Sequence, residues 1–581
     1  MNQEIQEFIE KMKDWERNFP IEEYDYTKYD CEIADIAKMQ NEKNYDGLIN
    51  FWNEKLKEDY FELKHPIYNE IKLRAVGNYW DTQMGNYVVF LDKDKKSIMV
   101  MYHREHLINF VLVEGKILIV YMRKWLAPQL LNFLRKTSSH IINLIYKCIA
   151  KDYNVKFAFT YATNRPDHQF FWMGDSYTRL NKPIKVHNNN FTFFYPKDCQ
   201  KIDNEDYVYL YPIAYPSAYM HFDDSKEQTE YNKEFQSLVY NESLQEFTTL
   251  VEPKDLEFKD DFSLTLWLGL PGEKRAWLEQ IEGTALILKN LLPYFSRIKV
   301  YIDGMTAYDR QIQDFPENKI LHNKVIRATK EALKDTLVLD VDEFDGGGDF
   351  KNTQSLIVFK SLAGYDYRTK ICYCSMCDIA VSDSGTTTFT PFVFCKKPGV
   401  IFYKNQGGAL FNVAHQILIK NSKYRRINEK GLSTSDYHIP PEHIYNLAVE
   451  VLEELKNIKM HRLNVPPVEL YIKKYELEKK TQIKFNDNEA TQSLLKNIEN
   501  QKMLLEVDNL ILDKELKTLQ IDEAKHSIEL KTLQIKQLQV GYTKLVVRDD
   551  LPSAKTRIHN HLAYKLGSAI IENSKSLFGY I

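Results

Sequence analysis

Glycine and proline are scarce in this chain of 581 residues, at 21 and 19, while tyrosine (37) and phenylalanine (31) are abundant. That composition argues against long disordered or low-complexity regions. No apolar run is long enough to cross a membrane. The start, Met1 to Glu7, is polar and acidic and lacks the basic and apolar segments of a signal peptide. We therefore expect a cytoplasmic protein.

Charge and short motifs exclude several classes of protein. The formal net charge is −4, so nothing in the overall charge points to nucleic acid as a partner. Seven cysteines, an odd number in a long chain, fit reduced thiols better than a disulfide framework. The Walker-type Gly-Lys-Ser/Thr, the esterase Gly-x-Ser-x-Gly and the dinucleotide Gly-x-Gly-x-x-Gly are absent. ATPase, esterase and NAD-dependent activities are therefore disfavoured.

Residues 262–403 alternate between strand-like and helix-like segments. The predicted strands are Phe262–Leu268, Ile298–Ile302, Thr336–Val341, Ile379–Ser382 and Val400–Tyr403, and the predicted helices are Lys274–Phe295, Asn318–Leu333, Gln354–Leu362 and Thr386–Phe394. This alternation predicts right-handed crossovers and a parallel sheet covered on both faces. Ligands bind such sheets at the carboxyl ends of the strands.

One loop at that edge is suited to a phosphate. It carries Ser384, Gly385, Thr386, Thr387 and Thr388 directly before a predicted helix. Glycine allows a close approach of the backbone, and the hydroxyls lie beside the unsatisfied N–H groups of the helix start. The alternative is an ordinary capped helix, with Ser384 or Thr386 satisfying the first turn.

A second loop follows the strand Phe262–Leu268 and adds positive charge. Gly269, Gly272, Lys274 and Arg275 fall here, and the two cations could bind a diphosphate. They could also be a solvated helix start, although cations at that position oppose the helix dipole.

Two further groups are weaker candidates for metal binding. Asp340-Val341-Asp342 has the spacing of a divalent-metal motif, but we expect no metal and assign Asp342 to ribose or sugar hydroxyls. Cys372, Cys374 and Cys377 lie within six residues, and buried thiols explain them better than zinc does.

Composition divides the rest of the chain into segments. Residues 1–75 are interpreted as a helical preface, 76–250 as an α/β domain and 255–450 as the second α/β domain. Residues 490–545 predict a coiled-coil helix with a repeat in which 515–521 and 529–535 lie two heptads apart. Its seam contains Leu512, Leu516, Leu519, Leu530, Leu533 and Val540, and is interrupted by Asn509, Glu523, His526 and Gln537.

Residues 550–581 predict a basic amphipathic helix. Lys555, Arg557, Lys565 and Lys575 outnumber Glu572 there. Such a helix could lie on an anionic membrane surface or dock on the protein itself.

These residues together resemble a family. Gly269, Lys274 and Arg275 after the first strand, with 382–388 and Lys397-Pro398-Gly399 at the last, look like the donor half of a GT-B glycosyltransferase. Residues 554–577 look like a tail shared by surface-glycan glycosyltransferases of the Campylobacter and Helicobacter type. The resemblance implies two Rossmann-like domains facing each other, the C-terminal one holding a nucleotide sugar and working without a metal or other cofactor.

The resemblance also suggests catalytic residues in the first domain. Asn164 to Trp172 is similar to an Arg-Pro-x-His-x-Phe-Tyr element of those enzymes, with Phe171-Trp172 in place of the usual aromatic pair. Transfer to a hydroxyl needs a base near the acceptor, for which His168 is the first candidate and Asp167 the second. Arg165 would bind an anion or orient that base. A purely structural histidine in a turn is the alternative.

The implied activity is transfer of a sugar to a glycan, lipid-linked or protein acceptor during synthesis of a surface polysaccharide, such as a capsule or lipooligosaccharide. The chain would form a homo-oligomer through its coiled coil and could work at the inner face of the cytoplasmic membrane. The alternative function is a non-catalytic coiled-coil scaffold with a degenerate nucleotide-sugar fold.

Overall fold

The computed structural model describes residues 2–80, 85–104, 107–121, 127–212, 233–270, 276–341, 353–383, 385–402, 416–418, 436–481, 515–536 and 566. The chain divides into two compact units, Met1–Tyr475 and Glu476–Ile581. The first is a mixed α/β structure with three sheets.

The first sheet is mainly an antiparallel meander. Its strands are β1 (Ile21–Glu23), β2 (Glu62–Lys64), β3 (Lys72–Trp80), β4 (Gly85–Leu91), β5 (Ile98–Arg104), β6 (Leu107–Val113) and β7 (Lys116–Ile119), in the order β1-β7-β6-β5-β4-β3-β2. A short polar turn connects β4 and β5. In the β4–β5 turn, Asp92 Oδ1 accepts hydrogen bonds from the backbone N–H groups of Lys96 and Ser97, both at 2.6 Å. The sequence has short β-rich runs here, at Tyr87–Leu91, Ser97–Tyr102, Phe110–Leu112 and Ile117–Val120, which predict strands. The structure confirms a strand at each of them.

The predicted helical preface is only partly helical. Its helices are Gln3–Lys13, Trp15–Asn18, Glu32–Asn41 and Tyr45–Lys55. However, β1, β2 and the start of β3 also lie in it, and β1 pairs in parallel with β7. Trp52 is fully buried against Phe61 and Phe159. β1 pairs with residues about 95 positions further along the chain, and local composition does not predict such a pairing. The pairing makes this segment part of the first sheet's core.

The second sheet is small and parallel. It contains β8 (Lys156–Phe159), β9 (Ile184–His187), β10 (Cys199–Ile202) and β11 (Tyr207–Leu210), in the order β10-β9-β8-β11. It adjoins the first sheet, where the backbone N–H of Tyr209 donates to Asn78 Oδ1 at 2.9 Å. The helices of this region are Ala127–Ala150, Gly174–Arg179 and Lys233–Leu244, with a π-helical segment at His168–Met173.

The third sheet is entirely parallel. Its strands are β12 (Leu264–Gly269), β13 (Arg297–Asp303), β14 (Leu337–Asp340), β15 (Leu356–Ser361), β16 (Ile379–Asp383), β17 (Gly399–Phe402) and β18 (Gln416–Leu418). Their order is β14-β15-β13-β12-β16-β17-β18. The parallel sheet predicted from the alternation of segments is therefore confirmed.

Helices cover both faces of the third sheet. On one face lie Gln280–Leu291, Pro316–Ala332 and Pro441–Lys456, and on the other lie Tyr367–Ser375 and the π-helical Phe389–Phe394. The structure also describes α-helices at Phe247–Leu250, Pro253–Glu257 and Val468–Thr481. Successive side chains of β12 point to opposite faces of the sheet. Leu266 and Leu268 pack in the core on the first face, and Trp267 packs in the core on the other.

One element of the third sheet was predicted wrongly. Residues 354–362 were expected to be a helix, but Leu356–Ser361 is β15, between β14 and β13. A short, continuous apolar run does not distinguish a buried strand from a helix. The helix lies further on, at Tyr367–Ser375, where the Asp366 side chain accepts a hydrogen bond from the backbone N–H of Thr369 at 2.9 Å.

Two facing Rossmann-like domains are not confirmed. The larger sheet of the N-terminal half is antiparallel rather than parallel. The apolar core of that half also takes in side chains from the third sheet's helices, namely Tyr367, Ile371, Phe389, Val393 and Phe394. The two halves therefore share part of one core.

In the second unit the structure describes the end of the helix Val468–Thr481, a helix over residues 515–536 and a helical residue at Leu566. A coiled coil is not confirmed, and the rest of the predicted basic tail lies outside the described residues. Across the part of the chain that is described, no helix combines the length and apolarity needed to span a membrane.

Candidate functional site

The strand order of the third sheet reverses between β12 and β16. From β12 the chain builds outward through β13 to β14 and β15, and it then returns to β16 and builds toward the opposite edge. Gly269 and Ser382 are paired at the carboxyl ends of these neighbours. In open parallel sheets the crevice at such a switch point is the usual ligand site.

Gly269 is needed for contacts within the protein. A Cβ atom placed on it would lie 1.9 Å from Ser382 Oγ and 3.2 Å from Thr387 Cβ. Any side chain at this position would therefore force the two strand ends apart. The structure places Gly269 against the 385–388 loop, as predicted. However, glycine is needed there for close packing of the protein itself, and this contact is not evidence that a ligand approaches the backbone.

The threonines of the loop are not equivalent. Thr387 Oγ1 donates to the carbonyl of Asp383 at 2.9 Å, and Thr388 Oγ1 donates to the carbonyl of Gly385 at 2.7 Å. Thr388 is buried, whereas Thr386 is exposed at the start of a 3-10 turn, Thr386–Thr388. The backbone N–H of Thr388 also donates within the turn, to the carbonyl of Gly385 at 3.1 Å. The Thr386 hydroxyl is thus better placed for a ligand than the two internally bonded hydroxyls.

Five predicted donor-site residues lie outside the described residues and stay predictions: Gly272, Lys274, Arg275, Asp342 and Ser384. Among the described residues no three His, Cys, Asp or Glu side chains are grouped to hold a metal ion. Cys372, Cys374 and Cys377 are buried free thiols. Cys372 and Cys374 lie on the helix Tyr367–Ser375, and Cys377 follows it.

An acidic group at this edge was not predicted. Asp383, the last residue of β16, accepts a hydrogen bond from the Tyr437 hydroxyl at 2.6 Å and is 8% exposed. A phosphate near Gly385 would approach this carboxylate, so it would need compensating positive charge. The sequence supplies Lys274 and Arg275 for that role.

A buried ion pair at the end of β13 was also missed. Lys370 Nζ lies 2.6 Å from Asp303 Oδ1 and donates to the carbonyl of Gly304 at 2.8 Å and to Thr306 Oγ1 at 2.8 Å. Burial raises the pKa of Asp303, and Lys370 opposes that rise. Burial likewise lowers the pKa of Lys370. Asp303 was visible as the residue after a predicted strand, but nothing in the sequence marked Lys370.

His322 lies beside this pair. Its Nδ1 is 2.7 Å from Ser361 Oγ, at the end of β15. Burial, together with the charge of Lys370, lowers the pKa of His322 to about 4. The imidazole is therefore neutral at physiological pH.

The candidate catalytic segment follows β8, which lies between β9 and β11 in the second sheet. Arg165 binds Asp167 through two contacts, Nε to Oδ1 at 3.3 Å and Nη2 to Oδ2 at 3.1 Å. His168 Nε2 is 4.0 Å from Asp167 Oδ2, beyond hydrogen-bond distance. Burial raises the pKa of Asp167, while Arg165 opposes the rise. The carboxylate is thus held by Arg165 rather than by His168.

Aromatic contacts join this segment to the loop at the switch point. The Phe170 ring lies 4.9 Å from Phe394 and 6.2 Å from Phe389, in the helix that follows the threonines, and 4.7 Å from Tyr367. Burial raises the pKa of the Tyr367 phenol, and the carboxylates of Asp303 and then Asp167 also raise it. The two candidate regions therefore approach each other around one aromatic cluster.

Arg368 fixes the two halves together. Its side chain is 1% exposed; Nε donates to Asp309 Oδ1 at 2.8 Å, and Nη2 donates to the carbonyl of Tyr195. Nη1 lies 3.5 Å from Glu242 Oε2, and the guanidinium stacks 3.9 Å from the Phe194 ring. Burial raises the pKa values of Asp309 and Glu242, and Arg368 opposes both shifts. Sequence reasoning missed this residue.

Comparison with known proteins adds information about the C-terminal region alone. Residues 454–581 match a family described as a domain of unknown function (DUF8374). The match includes the helix 515–536 and residues 554–577. No curated protein matches the chain.

Proposed function

We propose that the chain is a glycosyltransferase that uses a nucleotide sugar as donor. The observation that carries the proposal is the switch point of the third sheet, where Gly269 and the 385–388 loop meet at the carboxyl ends of β12 and β16. The finer GT-B arrangement belongs to this proposal, with the 165–168 segment on the acceptor side.

The proposed roles follow from charge and position. Lys274, Arg275 and the N–H groups at the start of the 385–388 turn would hold the diphosphate leaving group, without a metal or resident cofactor. His168 would deprotonate the acceptor hydroxyl, with Asp167 as the second candidate. Arg165 would keep Asp167 ionised, since it opposes the effect of burial on that carboxyl's pKa. The acceptor would be a glycan, lipid-linked or protein molecule at the inner face of the cytoplasmic membrane.

A second function is favoured by a different observation. The helix 515–536 exposes six large apolar side chains, including Leu519 at 67% and Leu533 at 61%. This helix could assemble a membrane-proximal complex even if the nucleotide-sugar fold of the chain were degenerate. In that case the chain would be a scaffold without catalytic activity.

Thermal shift measurements with UDP, GDP, CDP, CMP and their common sugars separate the two functions. A ligand at ~100 times its Kd stabilises the native state by about 2.7 kcal/mol, so a real donor site gives a selective shift. We expect Arg275→Ala to abolish that shift and His168→Ala to keep it while losing transfer. Full activity in both variants would show that these roles are wrongly assigned, and no shift with any nucleotide would favour the scaffold.

Two threonine variants test the geometry of the loop. We expect Thr386→Ala to weaken nucleotide binding more than Thr387→Ala, because the Thr387 hydroxyl is already bonded to the carbonyl of Asp383. Isothermal titration with the nucleotide identified above measures the difference. Equal affinities in the two variants would remove the Thr386 side chain from the site.

A further inference from the structure

The helix 515–536 has two apolar columns on different sides. One contains Leu516, Leu519, Leu530 and Leu533, which are 54%, 67%, 57% and 61% exposed. The other contains Ile521 and Ile528, 46% and 61% exposed. At ~100° per residue, Ile521 is rotated about 140° from Leu516, so one partner helix cannot cover both columns.

The leucine column is symmetric about the midpoint between Ala524 and Lys525. Leu519 and Leu530 are equally far from that point, and so are Leu516 and Leu533. The two polar residues that interrupt the column, Glu523 and His526, are also equally far from it. The column therefore has leucines at the same positions when it is followed from either end. Only the order of the glutamate and the histidine differs between the two directions.

This symmetry suits an antiparallel two-fold interface between identical helices, because it lets like residues meet. In such an interface, residue i of one copy contacts residue j of the other, and j contacts i. When two copies run antiparallel about this midpoint, every leucine meets a leucine and Glu523 meets His526 of the partner subunit. When they run parallel and in register, Glu523 meets its own copy, which places two carboxylates together in the seam.

We infer that residues 516–533 pair two copies of this chain as an antiparallel, two-fold coiled coil. The charges beside the seam are complementary at its two ends, where Glu515 comes near Lys536 of the partner subunit. Nearer the middle, Asp522 approaches Glu529 of the partner subunit, and Lys525 offsets this repulsion because its Nζ lies 3.2 Å from Asp522 Oδ1. The pairing is independent of the proposed transferase activity.

The mass of the full chain in solution tests which column is used. We expect the wild type at about twice the chain mass of 68.6 kDa by light scattering. Leu530→Lys places two lysines in the seam and should give a monomer. Ile528→Lys is the matched control, since Ile528 is about as exposed but lies on the other column, and it should stay dimeric. A monomeric wild type, or a monomer from Ile528→Lys with Leu530→Lys still dimeric, would overturn the pairing.

A charge exchange tests the direction of the pairing. Glu523→Lys places a lysine opposite His526 of the partner subunit and should weaken the dimer about tenfold or more by sedimentation. Adding His526→Glu in the same chain restores opposite charges only when the helices are antiparallel, so the double variant should recover most of the affinity. In a parallel pair it would place Lys against Lys and Glu against Glu. A double variant weaker than the single one would refute the antiparallel arrangement.

Discussion

Replacing Arg368 with methionine should destabilise the first unit more than any comparable change at an exposed arginine. The substitution leaves Asp309, whose side chain is 1% exposed, without its cation, and removes the donor to the Tyr195 carbonyl. Breaking a buried ion pair by removing one partner costs about 3–5 kcal/mol. The unfolding entropy of the 475 residues of this unit, at ~2.1 cal/mol/K each, is about 1 kcal/mol/K, so the melting temperature should fall by ~3–5 °C.

The loss should depend on pH in a defined direction. Burial already raises the pKa of Asp309, and Arg368 holds that rise down. Without Arg368 the native pKa rises further above the unfolded value, so the native state binds a proton more readily than the unfolded state does. The uncompensated charge then disappears as the pH falls toward that raised pKa. The difference from wild type should therefore be smaller at about pH 5 than at about pH 7.5.

Differential scanning calorimetry at the two pH values measures both effects. Arg310→Met is the matched control, because Arg310 also binds a carboxylate, Glu246, at 2.8 and 2.9 Å but is 50% exposed. Exposed pairs contribute about 0–1 kcal/mol, so this variant should melt within about 1 °C of wild type. An unchanged melting temperature for Arg368→Met, or a larger loss at the lower pH, would refute the reasoning.

Two more substitutions test the edge of the third sheet. Gly269→Ala should cost about 1–3 kcal/mol, since its Cβ would lie 1.9 Å from Ser382 Oγ, and the loss measured by thermal melting should shrink in a Ser382→Gly background. Lys370→Met should cost about 3–5 kcal/mol at neutral pH because it leaves Asp303 uncompensated. Since burial raises the pKa of Asp303, chemical denaturation should show part of that loss recovered in acid; a loss that does not depend on pH would contradict this account.

Sequence patterns predicted the third sheet well because its strands are short apolar runs that alternate with helix-like segments. They placed β12, β13, β14, β16 and β17 within a few residues, and they identified the 385–388 loop and Gly269 as neighbours at one edge. The symmetric spacing of the leucine column can likewise be recognised from the sequence alone. Periodicity of 2 or 3.6 residues survives in any context, so these features need no tertiary information.

The buried charges could not be predicted in this way. Lys370 and Arg368 lie on a helix that the sequence did not reveal, and charged side chains are normally assigned to the surface. They are buried because Asp303 and Asp309, about 60 residues earlier in the chain, are folded against them. The Thr386 and Thr387 hydroxyls could not be distinguished from the sequence either. Only the folded backbone shows that the Thr387 hydroxyl donates to the carbonyl of Asp383. Composition and spacing indicated most strands of the third sheet and the edge where its loops meet. The tertiary structure alone decided which polar groups hold the elements together.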